Sequence, residues 1–226
     1  MIDIVKDIPR LDGATLEKAA GFASSIFADV AGRRGALHGR VQPLLPTMRA
    51  CGPAFTVDVR PGDNLMIHAA MALAKPGDVL VIDGKADLTA ALMGAIMLTA
   101  CKQLGLAGVV IDGAIRDTEE LRALGFPVWA AGANPNGPTK NVPGRINAPI
   151  GCGGVTVHPG DLVVADGDGV VIVERERVAS LLPLAAKKVA EEAKRIAEIT
   201  GGGPIRPGWL DASLRAAGLL GAEEQL

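Results

Sequence analysis

Tyrosine is absent, and only four phenylalanines and two tryptophans occur in 226 residues. The core must therefore be filled by Val, Ile, Leu and Ala, which pack well between a sheet and helices. A charge excess of one sign is also missing, since 23 basic and 25 acidic residues leave a net charge of -2. No basic stripe interleaved with aromatics occurs, so the electrostatic footprint of a nucleic-acid binder is lacking. No uncharged apolar run approaches the roughly 18 residues of a membrane span, and residues 1–10 carry charges among their apolar positions. These absences predict a cytoplasmic protein without nucleic-acid or membrane partners.

Several catalytic signatures are missing as well. There is no Gly-x-Ser-x-Gly elbow, no Walker loop and no Gly-x-Gly-x-x-Gly turn after a strand, so serine hydrolases and nucleotide-binding enzymes lose their fingerprints. His38, His68 and His158 are too scattered for a zinc triad. Cys51, Cys101 and Cys152 are odd in number and lack a Cys-x-x-Cys pair, which predicts reduced, buried thiols.

What is present points to a folded α/β protein. Hydrophobic residues make up 49% and charged residues 21%, enough apolar material for a core and enough charge for a soluble surface. Twenty-nine glycines and fifteen prolines imply many tight turns. A helix is predicted over 12–29, and a strand beyond Thr47 in which Phe55, Val57 and Val59 alternate with polar residues. A short helix over 63–74, capped by Asp63, leads to an apolar strand over 78–83. A long helix is predicted over 87–103, capped by Asp87 and closed by Gly105. The strand 108–112, a brief helix 117–124 and the strand 127–130 continue a βαβ rhythm, which predicts a largely parallel layer. Residues 132–154 have turn formers and no apolar periodicity, and are predicted to be a long functional loop. Strands over 161–165 and 170–173 form a hairpin. An amphipathic helix over 177–199 and a short helix over 209–220 complete the chain. The expected division is a sandwich domain over 1–175 and a helical tail over 176–226.

Asp83, Asp112 and Asp166 each end an apolar strand before a glycine. Ligands gather outside the carboxyl ends of strands in open α/β sheets, but Asp-Gly is also a common turn pair. The richer cluster is Asp112-Gly113-Ala114-Ile115-Arg116-Asp117, where a strand end delivers a cation beside an anion. The anion suits an oxygen-ligated divalent metal, and the cation suits a developing oxyanion. Asp117 followed by Glu120 also fits a helix-start capping box.

These segments, together with residues 52–57, 62–64, 76–83, 125–128 and 159–170, resemble a family in order over nearly the whole chain. It contains 4-hydroxy-4-methyl-2-oxoglutarate/4-carboxy-4-hydroxy-2-oxoadipate aldolase and the regulator of ribonuclease activity A. The resemblance implies an αββα sandwich of swivelling β/β/α type with a C-terminal helical tail, assembled as a homotrimer or hexamer with the tail on a neighbouring subunit. The family's aldolases share a glycine, twenty-one intervening residues, Arg-Asp and an acidic residue three further on, matched here by Gly94, Arg116, Asp117 and Glu120.

By that resemblance Asp117 binds Mg2+ or Mn2+, and Arg116 stabilises an enolate oxygen. The amides following Gly94, at Ala95, Ile96 and Met97, hold the substrate carboxylate. A tail glutamate of a neighbouring subunit, Glu192 or Glu191, completes the metal's water shell. The implied activity is cleavage of a 4-hydroxy-2-oxo di- or tricarboxylate to pyruvate and a 2-oxo acid, with oxaloacetate decarboxylation on the side. The other branch of the family implies a non-catalytic protein that inhibits a ribonuclease by contact. One position departs from the aldolase pattern: Ala95 stands where an acidic residue is usual, and it cannot hydrogen-bond metal-held water.

Overall fold

The computed structural model describes residues 4–226. The chain divides into two compact units, one ending at Ala185 and the other spanning Ala186–Leu226.

In the first unit Asp12 starts α1 (Gly13–Ala20) by accepting the Thr15 amide at 2.9 Å and its hydroxyl at 2.7 Å. The single helix expected over 12–29 is broken at this point. Ser24 begins α2 (Ser24–Val30) with its amide and hydroxyl held by the Asp166 carboxylate at 2.8 and 2.7 Å. That distant acceptor draws the chain out of helical continuation, and Phe22 meets Phe27 edge-on with centroids 6.0 Å apart.

The strands are β1 (Gln42–Pro43), β2 (Ala50–Asp58), β3 (Val79–Met93), β4 (Gly108–Ile115), β5 (Val128–Ala133), β6 (Arg145–Ile146), β7 (Ile150–Cys152), β8 (Val155–Val157), β9 (Leu162–Asp166) and β10 (Gly169–Val173). Three helices, α3 (Leu65–Met71), α4 (Ala95–Gln103) and α5 (Thr118–Leu124), make the crossovers of the parallel run β2 to β5. The main sheet has the order β1-β5-β4-β3-β2-β9-β10, with β6 also on β2 and β7–β8 a separate hairpin. Strand β2 belongs to both halves of that sheet. Residues 50–53 pair antiparallel with β9, and residues 54–58 pair parallel with β3. The result is a mixed α/β fold with a swivelled central sheet, flanking helices and a helical extension.

Covered strands read as continuous apolar runs, and every residue of β4 is buried. Phe55, Ile67, Leu98 and Trp129 fill the larger core. A smaller one gathers Phe27, Leu162, Val171, Val173, Val178 and Leu181. Cys51, Cys101 and Cys152 are free thiols, and burial pushes Cys51 up to about 11 and Cys101 up to about 12.

The helix expected over 87–103 is half strand. Lys85 and Ala86 take left-handed φ values of 60° and 57°, and the Lys85 ammonium bridges Asp58 (2.6 Å) and Asp83. Asp87 accepts from Thr89 in a local turn instead of capping a helix. Beyond it the extended backbone finds donors and acceptors on the facing loop. The Asn134 amide donates to Leu88 O at 2.7 Å, the Asn136 amide to Thr89 O at 3.1 Å, and the Ala91 amide to Asn136 O at 2.9 Å. With these partners available, the apolar spacing of Leu88, Ala91 and Leu92 no longer requires a helix. The loop expected over 132–154 likewise carries β6 and β7, because Ile146 pairs with Val57 and fills the core.

Helix α6 (Val178–Thr200) buries Val178, Leu181 and Ala185. Within the second unit, Lys187–Glu191 and Lys188–Glu192 form ion pairs one turn apart. Arg195 there donates to Pro204 O at 2.8 Å and Ile205 O at 3.0 Å, and α7 (Leu210–Ala216) follows. No helix among the described residues is long and apolar enough to cross a membrane.

Candidate active site

Strand β3 ends at Met93 beside the end of β4 at Ile115, which brings Gly94 against Arg116 and Asp117. The Arg116 amide donates to Met93 O at 3.0 Å. Asp117 precedes α5 in the left-handed region, φ 59° and ψ 39°, and its side chain makes no cap hydrogen bond. The capping-box alternative therefore fails on the carboxylate's own direction. Its Oδ2 accepts the amide of Ala95 at 2.9 Å, across to the first turn of α4. A left-handed conformation in a non-glycine residue costs energy and collects at functional sites.

Gly94 has an extended backbone, φ -146° and ψ -164°, which any residue could adopt. Its requirement is space, because a Cβ there would lie 2.4 Å from Asp117 Oδ2 and 3.0 Å from Arg116 Cγ. Gly137 approaches from the other side, where a Cβ would stand 3.0 Å from Arg116 Nη1. Arg116 Nε lies 3.8 Å from Asp117 Oδ2. The amides of Ala95, Ile96 and Met97 begin a helix and so lack intrahelical partners; they offer an anion-holding end, of which Asp117 takes the Ala95 N–H.

A cavity of about 150 Å³ opens over this junction, lined among others by Gly94, Ile96, Met97, Arg116, Asp117 and Lys140. It is smaller than the roughly 300–1,000 Å³ of drug-sized sites, so a small metabolite is the fitting occupant. Ala95 packs against the core, whereas Ile96 is 86% exposed at the cavity wall. Glu191 and Glu192 lie in the second unit, paired as described.

Residues without a site role on sequence grounds also line the cavity: Asn64, His68, Pro138 and Lys140. Buried Asp63 organises them. Its carboxylate accepts the Leu65 amide at 3.0 Å, the Thr139 hydroxyl at 2.6 Å, and the amides of Asn141 and Val142 at 2.7 and 3.2 Å. Burial pushes its pKa up, but those donors outweigh burial and hold its carboxyl below the usual range. The motif 62–64 was the available signal for this clamp; nothing local marked Lys140.

The three strand-end carboxylates are committed elsewhere. Asp83 is paired with Lys85. Asp112 accepts Arg40 Nε and Nη2, both at 2.8 Å, and the Gly153 amide at 2.9 Å. Asp166 holds Ser24. None of the three lines the cavity.

Among the described residues no group of three or more His, Cys, Asp or Glu side chains gathers as a metal cage. Among the described residues Asp117 is the one carboxylate lining the cavity, and the Ala95 amide engages only its Oδ2. That set fits a hard ion of the Mg2+ type, which keeps several waters and needs only one or two carboxylates.

The family model described as Aldolase/RraA, RraA-like, matches residues 11–172. A Halalkalibacterium halodurans protein, named provisionally as a 4-hydroxy-4-methyl-2-oxoglutarate aldolase, is 45% identical over 159 residues, covering 70% of this chain and 76% of that protein. A Streptomyces coelicolor structure titled RraAS2, an unusual member of the RNase ES inhibitor RraA family, is 30% identical with a TM-score of 0.76, covering 84% of this chain and 99% of that one. The structure titled RNA-processing inhibitor RraA from a Thermus species is 31% identical with a TM-score of 0.61, covering 66% and 91% respectively.

Proposed function

The chain belongs to the Aldolase/RraA family, and from that membership we propose that it is a divalent-metal-dependent pyruvate aldolase acting on 4-hydroxy-2-oxo di- or tricarboxylates. One observation carries the reading: the Asp117 carboxylate is turned away from its own helix, toward the start of α4, in space that only Gly94 leaves open.

In this reading Asp117 holds Mg2+ or Mn2+, assisted by Glu191 or Glu192 from the tail of a neighbouring copy. The ion supplies the Lewis acidity that makes a 2-oxo group an electron sink. The free amides at the start of α4, those of Ile96 and Met97, hold the substrate's C1 carboxylate, next to the 2-oxo group. Arg116 places its guanidinium where negative charge develops on the 2-oxo oxygen as the C3–C4 bond breaks. Pyruvate and a second 2-oxo acid are the products, and oxaloacetate decarboxylation uses the same charge placement. Ala95 contributes an amide and no carboxylate, so metal affinity is weaker than a second acid would give. The protein acts in the cytoplasm, without nucleic-acid or membrane partners.

The test is pyruvate release from 4-hydroxy-4-methyl-2-oxoglutarate and from oxaloacetate, with Mg2+ and with chelator. Wild-type protein releases pyruvate only with the ion, and Asp117→Asn loses at least about 100-fold in turnover while keeping its melting temperature, since the amide lacks the charge that holds a hard cation. Wild-type turnover by that variant would remove Asp117 from the site.

Self-association as a trimer or hexamer belongs to the same reading. Ile196, Ile205 and Trp209 in the second unit are exposed and give a neighbouring copy apolar surface to cover. A monomer mass by light scattering at micromolar concentration overturns this part. A second reading, inhibition of a ribonuclease by protein contact, is favoured by the likeness to two structures of the RraA inhibitor type. It predicts no pyruvate release and specific capture of a ribonuclease.

A further inference from the structure

We propose that Asp63 is a positioning residue for Arg116: by clamping residues 139–142 it keeps Gly137 against the guanidinium and so fixes where that charge points. What the fixed charge does for a ligand rests on the reading that Arg116 meets the 2-oxo acid.

The first support is what Arg116 lacks. Its side chain is 41% exposed and makes no hydrogen bond among the described residues; its ion-pair contact is the loose one to Asp117, with Nε 3.8 Å from Oδ2. Direction must therefore come from shape. A Cβ on Gly94 would stand 3.2 Å from Nε, and one on Gly137 would stand 3.0 Å from Nη1, so the guanidinium lies between two glycine walls. A long side chain without hydrogen bonds regains its rotamers once a wall withdraws.

The second support is how the Gly137 wall is held. Buried Asp63 takes three donors on the single oxygen Oδ2, the Thr139 hydroxyl and the amides of Asn141 and Val142, while Oδ1 takes the Leu65 amide. Only Pro138 separates Thr139 from Gly137, and its ring fixes φ, so the clamp reaches Gly137 with little slack. On its other flank Gly137 follows Asn136, whose bonds to Thr89 O and the Ala91 amide are neutral and weaker than bonds to a carboxylate. The Gly94 wall has its own anchor, because the Asn64 side-chain amide donates to Leu92 O at 2.9 Å, two residues before Gly94. Loss of the Asp63 clamp thus frees one wall and leaves the other. Asparagine at position 63 keeps the volume but loses the charge, and it must turn an NH2 group toward N–H donors.

Two measurements on the full chain test this. The first needs no ligand: the nitrogen–proton resonance of Arg116 Nε, identified by its loss in Arg116→Lys, moves toward the position of a free arginine in Asp63→Asn. It also moves in Gly137→Ala, which presses on the guanidinium and leaves Asp63 intact. The second is calorimetric binding of pyruvate in Mg2+ buffer. Asp63→Asn weakens it about fivefold, the cost of ordering one rotamer-rich side chain on binding, and adds nothing in an Arg116→Ala background, because the two residues act through one contact. Should Asp63→Asn fail to fold, Thr139→Val removes a single donor and shifts the resonance part of the way. An unmoved resonance in folded Asp63→Asn, in Gly137→Ala or in that substitute overturns the proposal, as does a loss of pyruvate affinity that persists in full without the Arg116 side chain. A moved resonance in a protein that binds no pyruvate sustains the positioning role and sinks the reading of Arg116 as the oxo-acid contact; pyruvate bound through Arg116 with an unmoved resonance does the opposite.

Discussion

Gly94 shows how a residue can be required for what it omits. Its backbone is ordinary, so alanine there meets no conformational penalty; the obstacle is the Asp117 oxygen 2.4 Å from the missing Cβ. Gly94→Ala is therefore expected to push Asp117 off the Ala95 amide and away from Arg116. Displacement of a reacting group by about 1 Å can cost about 100-fold in rate, while the fold, whose cores lie elsewhere, keeps its melting temperature. Steady-state pyruvate release and thermal unfolding measured side by side check this. Unchanged turnover would mean that the carboxylate's present position is immaterial.

Among the elements, β3 departs furthest from what its residues suggest. The spacing of Leu88, Ala91 and Leu92 is helical, yet those residues are extended because Asn134 and Asn136 satisfy their backbone from the side. Asn136→Ala removes the bond to Thr89 O, so amide exchange over residues 88–91 should accelerate about tenfold, one net hydrogen bond's worth. Exchange in β4 should not change. Equal acceleration in both strands would show that the arm and the sheet open together. The same element explains what could be read in advance. The parallel order of β2 to β5 and the pairing of Arg116 with Asp117 were legible, because apolar runs and strand-end dipeptides are local signals. The extension of β3, the break between α1 and α2 and the Asp63 clamp depend on partners far along the chain, to which periodicity is blind. Lys140 was invisible for the same reason: only the folded loop shows that it faces the cavity.

For the whole molecule, buried carboxylates link stability to pH. Burial raises the pKa values of Asp63, Asp112 and Asp166, but hydrogen bonds outweigh it: backbone amides and Thr139 at Asp63, Arg40 at Asp112, Ser24 at Asp166. All three carboxyls are held below their ordinary value. A lowered folded value means that the unfolded chain takes up protons first. The stabilisation is thus complete above the unfolded carboxylate value of about 3.9 and is lost as pH falls through the lower folded values. Melting temperature should stay level with respect to these groups down to about pH 5 and then fall steeply. In Asp112→Asn the acid fall should be shallower from a lower plateau; an unaltered slope would remove Asp112 from the linkage. The double membership of β2 carries a different consequence, one of timing during synthesis. Ala54 finds Val79 soon after it is made, but Ala50 must wait for Ala165, and closing the longer interval is the slower event. Until then residues 50–53 stand in the nascent chain as an open strand edge, the kind of surface on which other chains nucleate. The stretch there is Ala50-Cys51-Gly52-Pro53, with small side chains and a proline that has no amide to offer, so the unfinished sheet presents a poor template while it waits.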